Sequence, residues 1–493
     1  MKFASALPLL CLCLTLPARA EESTPSPSTT EWQTNYRSAG NRPVNPSFGE
    51  SMREGPSGGV WQRNQFFGDP LGARSWLGRN GISIGAQETS EVLGNLSGGT
   101  RTGFVYDGLT TLSLRVDSHR ALGYRDGIFN ASALDLHGLN LSQRNLSTQQ
   151  TASGIVGDDG FRLWELWYQQ AFAYRQVDLR IGAQSLDQEF IVSQNALLFV
   201  NTMFGWPMVT SGDLLGGGPA YPLASLGARL HVQPMGSPWA FLGGVFDDNP
   251  TGITPGASSD PQLLNKHGTN FRLKDKPLAI LEIQYSRPAE GEMQEAGESA
   301  ISPGTYKLGA WFDFGKFPDQ RYGTDGLSLS DPNSNGSASL HQNNYSVYGV
   351  VDQVVWRESD ESPKGLAVFL RAMGAPSDQN PISFSANAGL TLRAPFFHRE
   401  FDALGLGMGY ARLSPRLYGL DGDTNTFNST SNPVRTSETF LELTYQYQLV
   451  PWWQFQPDVQ YVFNPGGGLV DARRPPARIA NELVVGLRTN ITL

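Results

Sequence analysis

The sequence predicts an all-β protein: a closed antiparallel transmembrane β-barrel of about sixteen strands, with a partly helical loop that constricts it. Apolar and polar residues alternate with period two in many segments, and several of these segments run for nine to thirteen residues. A tilted strand that crosses a bilayer needs about nine to eleven residues, whereas strands of soluble proteins average about five or six. About sixteen such segments lie between residues 81 and 493, an even number as in bacterial outer-membrane barrels.

The composition agrees with such a barrel and excludes several other classes. Charged residues make up 17% of the chain and the mean hydropathy is −0.30, as expected when an apolar outward face is averaged with a polar inward face. The formal charge of −9 argues against a nucleic-acid partner. The sequence lacks the GxxxxGK[ST] and HExxH motifs, and its six histidines are never within one turn of each other. We therefore expect no cofactor and no enzyme activity.

The N-terminus has the pattern of a secretion signal. Lys2 precedes the apolar stretch Leu7–Leu16, and Ala18-Arg19-Ala20 forms a cleavage site, which predicts a signal peptide over residues 1–20. Both cysteines, at positions 11 and 13, leave with that signal. Residues 21–67 are predicted to be a polar periplasmic extension, and residues 68–493 the outer-membrane barrel.

The segment Thr111–Asp117 shows the alternation clearly. Its apolar face holds Leu112, Leu114 and Val116, and its polar face holds Thr111, Ser113, Arg115 and Asp117. A barrel wall requires this pattern because one face meets lipid and the other lines water. Closure is also required, since lipid offers no hydrogen-bond partners to a free sheet edge.

The connections between segments alternate between short and long, as short periplasmic turns and long outer loops do. The short connections fall at 173–175, 234–237, 357–364, 394–401 and 450–451. The long ones fall at 142–161, 185–223, 247–277, 314–343, 412–436 and 464–481. The connection 287–303 breaks the rule, because it should be a short turn and is long. Trp452 and Trp453 are expected in an aromatic girdle at the membrane interface.

Four stretches resemble the carbohydrate-selective porin family called OprB. They are GDPLGARSWLGRNG at 68–81, LWELWYQQAFAYRQVDLRIGAQSLDQEF at 163–190, Phe369–Tyr410 and Glu438–Gly467. The resemblance implies a sixteen-stranded barrel in the bacterial outer membrane through which sugars diffuse. It also implies contact with outer-membrane lipid and lipopolysaccharide, insertion by the barrel assembly machinery, and a possible homo-oligomer. The chain departs from the family pattern at Pro70 and Leu71, and it ends in Leu493 and not in the Phe or Trp that is usual for outer-membrane barrels.

The connection 185–223 is too long for a plain turn, and we expect it to fold inward and narrow the pore. Apolar residues in Ser193–Phe204 recur at helical spacing, which predicts a helix that ends at Gly205-Trp206-Pro207. The alternative is a loop that stays on the rim and packs only against other loops.

Sugars are neutral, carry many hydroxyls and have an apolar ring face, so a selective pore should offer paired donors and acceptors beside an aromatic surface. Glu165, Trp167 and Arg180 are the leading candidates, because they lie in the most specific stretch and are predicted to face inward together. The further candidates are Arg115 on the wall and Asp187 and Glu189 at the start of the long loop. Asp178, Arg229 and Asp313 are also predicted to face the lumen. The alternatives are solvated wall residues and, for Asp187 and Glu189, a salt bridge or helix cap that anchors the loop.

A metal site is otherwise not predicted, but one outer connection resembles half of a calcium loop. Asp331, Asn333 and Asn335 fit the D-x-N-x-N-G pattern, whereas the twelfth position is Gln342 and not Glu. The alternative is a polar loop with Asx-turns.

The leading functional hypothesis is a porin for passive diffusion of monosaccharides such as glucose and of small oligosaccharides. The alternatives are a general or anion-biased porin, a barrel hydrolase acting on lipid, and a secreted β-protein that binds glycans. A hydrolase would need a Ser–His pair facing lipid on adjacent strands, whereas His231 is predicted to face the lumen.

Overall fold

The computed structural model describes residues 60–255, 260–287, 303–359, 362–396 and 399–493. The predicted signal peptide, the extension up to residue 59, and residues 288–302 of the irregular long connection lie outside the described residues. Within the described part, no helix is long and apolar enough to cross a membrane.

Sixteen strands form one closed antiparallel barrel, so the predicted fold is confirmed. Each strand pairs with its neighbours in the chain, and β1 pairs with β16 to close the sheet. The strands are β1 Ile82–Ser97, β2 Gly103–Asp117, β3 Gly127–Gly138, β4 Gly160–Phe172, β5 Val177–Gln184, β6 Ser225–Val232, β7 Trp239–Asp247, β8 Pro277–Arg287, β9 Gly304–Gly323, β10 Ala338–Arg357, β11 Gly365–Gly374, β12 Ile382–Arg393, β13 Ala403–Leu413, β14 Ser437–Val450, β15 Trp453–Phe463 and β16 Glu482–Thr492.

The alternation along each strand separates a lipid face from a lumen face. On β8, for example, the Leu281 side chain points outward and is 66% exposed, whereas Ile280 and Glu282 point inward and are each 1% exposed. Because every strand has two hydrogen-bonded neighbours, the wall presents no free edge to lipid.

Short helices occupy the connections, and local capping explains where they begin. They are α1 Ala73–Arg79, α2 Ser118–Leu122, α3 Leu141–Asn145, α4 Met208–Asp213, α5 Pro261–Leu264 and α6 Pro415–Asn428. The Ser414 side chain accepts a hydrogen bond from the Leu417 amide at the start of α6, and Pro415 occupies the first helical position. The Asp117 side chain caps α2 in the same way.

The connection predicted at 314–343 is shorter in the structure. Strands β9 and β10 continue to Gly323 and from Ala338, so only residues 324–337 connect them. The alternation persists through this extension, with Phe314 exposed and Phe317 buried. The two strands satisfy each other's backbone groups there, which lets them continue past the end of β8.

Residues near 60–67 pack against the end of the barrel that carries the short turns. The Phe66 amide donates to the Thr492 carbonyl at 2.8 Å, and Trp452 Nε1 donates to the Val60 carbonyl at 2.7 Å. Trp452 is therefore buried beneath Trp61 and Phe66, and its predicted place in a lipid-facing girdle is wrong.

Candidate pore constriction

The connection between β5 and β6, residues 185–224, lies inside the barrel, and we call it the inward loop. Glu282 on β8 accepts a hydrogen bond from the Ile191 amide at 2.8 Å. Asp352 on β10 accepts one from the Ser193 hydroxyl at 2.7 Å. The loop thus crosses the lumen to strands far from its own, which confirms the predicted inward folding.

The predicted helix over Ser193–Phe204 is wrong. The structure has two short 3-10 turns, Ala196–Leu198 and Thr202–Phe204. Between them the amides of Val200 and Asn201 donate to the Glu442 carboxylate on β14 at 2.5 and 3.0 Å. Since these amides bind the wall, they are not available to the carbonyls four residues earlier that a helix would use.

Helix α4 begins where that predicted helix was expected to end. Pro207 has an extended conformation, and α4, Met208–Asp213, follows it directly. Gly205-Trp206-Pro207 therefore precedes a helix, α4, and does not end the helix that was predicted over Ser193–Phe204.

Aromatic packing holds the loop against one side of the lumen. Phe199 and Phe204 stack with ring centroids 4.4 Å apart, and both contact Phe369 of β11. Gly405 and Gly407 on β13 make room for these rings, because a Cβ at either position would come within 3.0 Å of the Phe199 ring. This side of the lumen is therefore filled, and the pore is narrowed toward the opposite wall.

On the wall formed by β4–β6, charged side chains meet the start of the inward loop. Glu189 of the loop pairs with Arg180 of β5 at 2.7 Å and with Arg229 of β6 at 2.5 Å. Arg229 also pairs with Asp178, and Arg180 donates two hydrogen bonds to the Gln169 side-chain oxygen at 2.8 and 3.0 Å. We call these five residues the constriction cluster.

Trp167 lies directly beneath this cluster. The Arg180 guanidinium is 4.0 Å from the centroid of the Trp167 ring, a cation–π contact. Gly182 on the paired strand has φ +136, and a Cβ there would lie 2.7 Å from the Trp167 Cα. A glycine at this position is therefore needed for the close approach of the two strands.

The charges of the cluster decide the ionisation of the loop acids. Burial raises the pKa of Glu189, but Arg180 and Arg229 outweigh it and hold that pKa below its ordinary value. Burial raises the pKa of Asp187, and this prevails although the Ser185 hydroxyl donates to its carboxylate at 2.6 Å. Glu189 is therefore the loop acid that carries charge into the constriction.

The structure brings four of the predicted site residues together: Trp167, Arg180 and Glu189 contact one another in series, and Glu165 interacts with Trp167 and Arg180. Glu165 accepts from the Ser185 amide at 3.1 Å and so lies at the base of the loop, near Asp187. Arg115 lies on the same cross-strand row as Trp167, because Asn130 of β3 pairs with both.

The contacts that fix the inward loop were not predicted. Arg371 and Glu442 each sit at an inward position between two outward apolar residues, and Asp352 lies between outward Val351 and Gln353. The alternation therefore shows that they face the lumen, but it does not show that they bind the loop. Gln169 is a neutral residue with the same inward spacing and was also missed.

The calcium-loop candidate makes local hydrogen bonds. The Asp331 carboxylate accepts from the Asn333 amide at 2.8 Å, and the Asn335 amide donates to Asp325 at 2.6 Å. These are the contacts expected of an Asx-turn loop. Among the described residues, no group of three or more His, Cys, Asp or Glu is placed to hold a metal ion.

Asp213, the last residue of α4, provides a test of the loop by pH. Burial raises the pKa of Asp213 well above its usual value, while its carboxylate accepts from the Ile382 amide at 3.1 Å. The folded protein then holds this proton where the unfolded chain has lost it, so stability falls as pH rises between the unfolded and folded pKa values. We expect Asp213→Asn to raise the thermal midpoint by a few degrees at pH 8 and to change it little at pH 4.

Thermal unfolding of the detergent-folded barrel at both pH values checks this expectation, with Asp331→Asn as the control. An Asp213→Asn variant that is destabilised equally at both pH values would contradict it.

A comparison with known proteins identifies the family to which this barrel belongs. The model of the family described as "Carbohydrate-selective porin, OprB family" matches residues 101–493. The chain belongs to the carbohydrate-selective porins. Porin B of Pseudomonas aeruginosa is 23% identical over 451 residues, which cover 85% of this chain and 89% of that protein.

Solved structures share the fold of this porin. The high-pH structure of Pseudomonas putida OprB has a TM-score of 0.76 at 20% identity, covering 88% of this chain and 100% of that one. The low-pH structure of the same protein has a TM-score of 0.51 at 15% identity, covering 88% and 99%. This chain is thus an outer-membrane carbohydrate porin, and the alternative of a secreted β-protein is wrong.

The lipid-hydrolase alternative required a Ser–His pair that faces lipid on adjacent strands. His231 faces the lumen of the porin as predicted, with Nδ1 2.9 Å from the Asp178 carboxylate. His137 does face outward, and its Nε2 lies 3.2 Å from the Tyr106 hydroxyl. The family is one of transport channels.

Proposed function

We propose that monosaccharides such as glucose and small oligosaccharides diffuse through this porin and make their selective contacts at the constriction cluster. The observation that carries the proposal is the meeting of Arg180 and Arg229 with Glu189 over the Trp167 ring. Guanidinium groups donate and carboxylates accept, so the cluster can bind the vicinal hydroxyls of a sugar in place of water.

The charges of the cluster nearly cancel. Arg180 and Arg229 are matched by Glu189 and Asp178, which leaves a strong local hydrogen-bonding surface with little net field. A neutral hydroxylated solute gains more from such a surface than an ion does. This balance argues against the alternative of an anion-biased or general porin.

The other candidates act around the cluster. Trp167 and Glu165 are each 1% exposed, so we assign them to positioning Arg180 and the loop. Asp187 shapes the base of the loop. Its carboxylate accepts hydrogen bonds from the Ser185 hydroxyl and the Tyr221 amide, which supports that role. Arg115 offers a further wall contact two strands from Trp167.

The remaining organisation follows from the sequence. Residues 1–20 direct export, residues 21–67 extend into the periplasm, and residues 68–493 form the channel domain. The outward apolar belt fits contact with membrane lipid and lipopolysaccharide, and a closed barrel of this kind needs the assembly machinery for insertion.

Planar-bilayer recording of the full chain tests the function. We expect ohmic single-channel steps that glucose reduces in a concentration-dependent and saturable manner. Steps that respond to no sugar in a panel of mono- and disaccharides, and that are strongly selective between K⁺ and Cl⁻, would contradict the proposal and favour a general or anion-biased porin.

A further inference from the structure

Where β7 ends, two buried carboxyl groups join it to β9, and neither belongs to the constriction cluster. Asp248 directly follows β7, and Asp313 is an inward residue of β9. Asp248 is 2% exposed and Asp313 is 0% exposed. Asp313 was predicted to face the lumen, and it does point inward, but it is too deeply buried to touch a solute. We call Asp248 and Asp313 the acid pair.

The two carboxyl groups meet over one glycine. They lie within hydrogen-bonding distance of each other. A Cβ on Gly315 would lie 2.8 Å from Asp313 Oδ1 and 2.9 Å from Asp248 Oδ2, so a glycine is needed to leave room for both oxygens. The Gly315 amide also donates to Asp313 Oδ1 at 2.7 Å. The bare backbone of β9 thus forms a cradle for oxygen atoms from two separate segments of the chain.

Two oxygens of the acid pair have no donor. Asp248 Oδ1 and Asp313 Oδ2 are buried and receive no hydrogen bond within the described part of the chain. Arg272 acts on Asp248 electrostatically, but its guanidinium is paired with the Asp275 carboxylate at 2.5 Å. Buried carboxylate oxygens without a partner are costly, so this place in the fold calls for a further group that carries positive charge.

The surroundings of the acid pair add negative charge. Asp247 and Asp275 both act electrostatically on Asp248, so four carboxylates gather around the one guanidinium of Arg272. Burial and the adjoining Asp313 carboxylate raise the pKa of Asp248, as expected for two carboxylates in contact without a cation between them. A proton shared by the pair would neutralise one of the four charges, whereas a divalent cation would neutralise two.

We propose that the acid pair binds a calcium ion, which ties the start of the connection after β7 to the wall at β9. Calcium takes about six to eight oxygen ligands and accepts carboxylates through one or both oxygens, so it can use the oxygens that have no donor. Magnesium demands a stricter geometry and keeps several of its waters. A site between two residues that are at most 2% exposed suits the ion that sheds its waters more readily.

The acid pair supplies two acidic ligands, and backbone carbonyls commonly complete such sites. Two acids agree with the finding that the described residues contain no group of three or more His, Cys, Asp or Glu placed to hold a metal ion. The Asp331 loop differs, because its carboxylate already accepts from the Asn333 amide at 2.8 Å. The inference is independent of the sugar pathway, since the constriction cluster lies on β4–β6 and the inward loop.

Terbium luminescence tests the site. Tb³⁺ replaces Ca²⁺ at oxygen sites, and a nearby tryptophan sensitises its emission; Trp311 lies two residues before Asp313 on the same inward face of β9. We expect the full chain, folded in detergent and treated with EDTA, to give emission that Ca²⁺ abolishes by displacement. Asp313→Asn should weaken Tb³⁺ binding at least tenfold.

Asp331→Asn is the matched control, because it also removes one carboxylate from the outer side of the barrel and should bind Tb³⁺ as the natural chain does. Equal emission from the natural chain and from Asp313→Asn, or no emission from either, would overturn the proposal.

Thermal unfolding supplies a second measurement, because an ion that binds only the folded state raises its stability. We expect Ca²⁺ at about 5 mM, above the range of many extracellular sites, to raise the midpoint of the EDTA-treated chain by several degrees. Asp313→Asn keeps the shape of the side chain and removes the repulsion, so it should fold, as heat-modifiable gel mobility can show, but its midpoint should not respond to Ca²⁺.

Two other results would contradict calcium binding. A natural chain whose midpoint depends on pH and not on Ca²⁺ would show that the acid pair shares a proton instead. A response to Mg²⁺ as large as the response to Ca²⁺ at equal concentration would overturn the assignment of the ion.

Discussion

Replacing Arg371 by methionine is expected to open the pore. Arg371 on β11 is 1% exposed and donates to the carbonyls of Ile191 at 3.0 Å, Gly205 at 3.1 Å and Met203 at 2.5 Å. One wall side chain thus fixes three separate points of the inward loop. We expect the Arg371→Met variant to show a severalfold larger single-channel conductance and little or no reduction of current by glucose.

The size of the effect follows from what the substitution leaves behind. Each buried carbonyl without a donor costs about 1–3 kcal/mol, so three together strongly favour a loop conformation in which water reaches them. The Phe199 and Phe204 rings still pack on Phe369 and hold one part of the loop. The barrel wall itself depends on strand pairing and should remain folded.

Conductance in planar bilayers, together with heat-modifiable mobility, checks this expectation. Arg357→Met, at the end of β10, is a matched control that removes an arginine without touching the loop and should leave conductance unchanged. A folded Arg371→Met variant with natural conductance would show that other contacts suffice to hold the loop.

The wall was predictable because its pattern is local. Each strand needs only the alternation of its own residues to assign one face to lipid and one to the lumen, as in Thr111–Asp117. The ends of the strands were less predictable than their faces. The end of β9 depends on continued pairing with β10, and the burial of Trp452 depends on residues 60–66, which are far away in the sequence.

The path of the inward loop was not predictable from local pattern. The Ser193–Phe204 segment has helical spacing, but Glu442 captures the Val200 and Asn201 amides from across the lumen. Helical spacing of apolar residues instead reflects two aromatic contacts with the wall, through Phe199 and Phe204. A buried carboxylate can therefore override a local preference when it binds two successive amides.

The candidate site was also predictable only in part, because the inward direction of its residues is a local property and their contacts are not. Alternation placed Trp167 and Arg180 inward, and the structure gives Glu189 the loop-anchoring salt bridges that were its alternative role. The cation–π contact was not foreseen, and it covers the ring face that a sugar was expected to use. Because that ring face is covered, our proposal assigns the sugar contact to Arg180 and not to Trp167.

Replacing Arg180 by methionine is the second change with a large expected effect. Hydrogen bonds that involve a charged group contribute about 1.5–3 kcal/mol, so the loss of one guanidinium should weaken glucose block about tenfold or more. Methionine keeps most of the side-chain volume, and although the ion pair with Glu189 is lost, the loop contacts with Arg229, Asp352, Arg371 and Glu442 remain. Titration of the channel current with glucose measures the effect, and Arg125→Met in a short turn is the control.

The ion selectivity of the Arg180→Met channel is a second quantity to measure, because the substitution also changes the charge of the constriction cluster. Without Arg180, the carboxylates of Glu189 and Asp178 share one arginine, Arg229, so the reversal potential in a KCl gradient should shift toward cation selectivity. Glu189→Gln preserves shape, leaves both arginines and should shift the potential toward anions. If either variant changed ion selectivity in the expected direction but left glucose block at its natural strength, the cluster would control the field of the pore and not its sugar contacts, and the substrate site would have to lie elsewhere along the lumen.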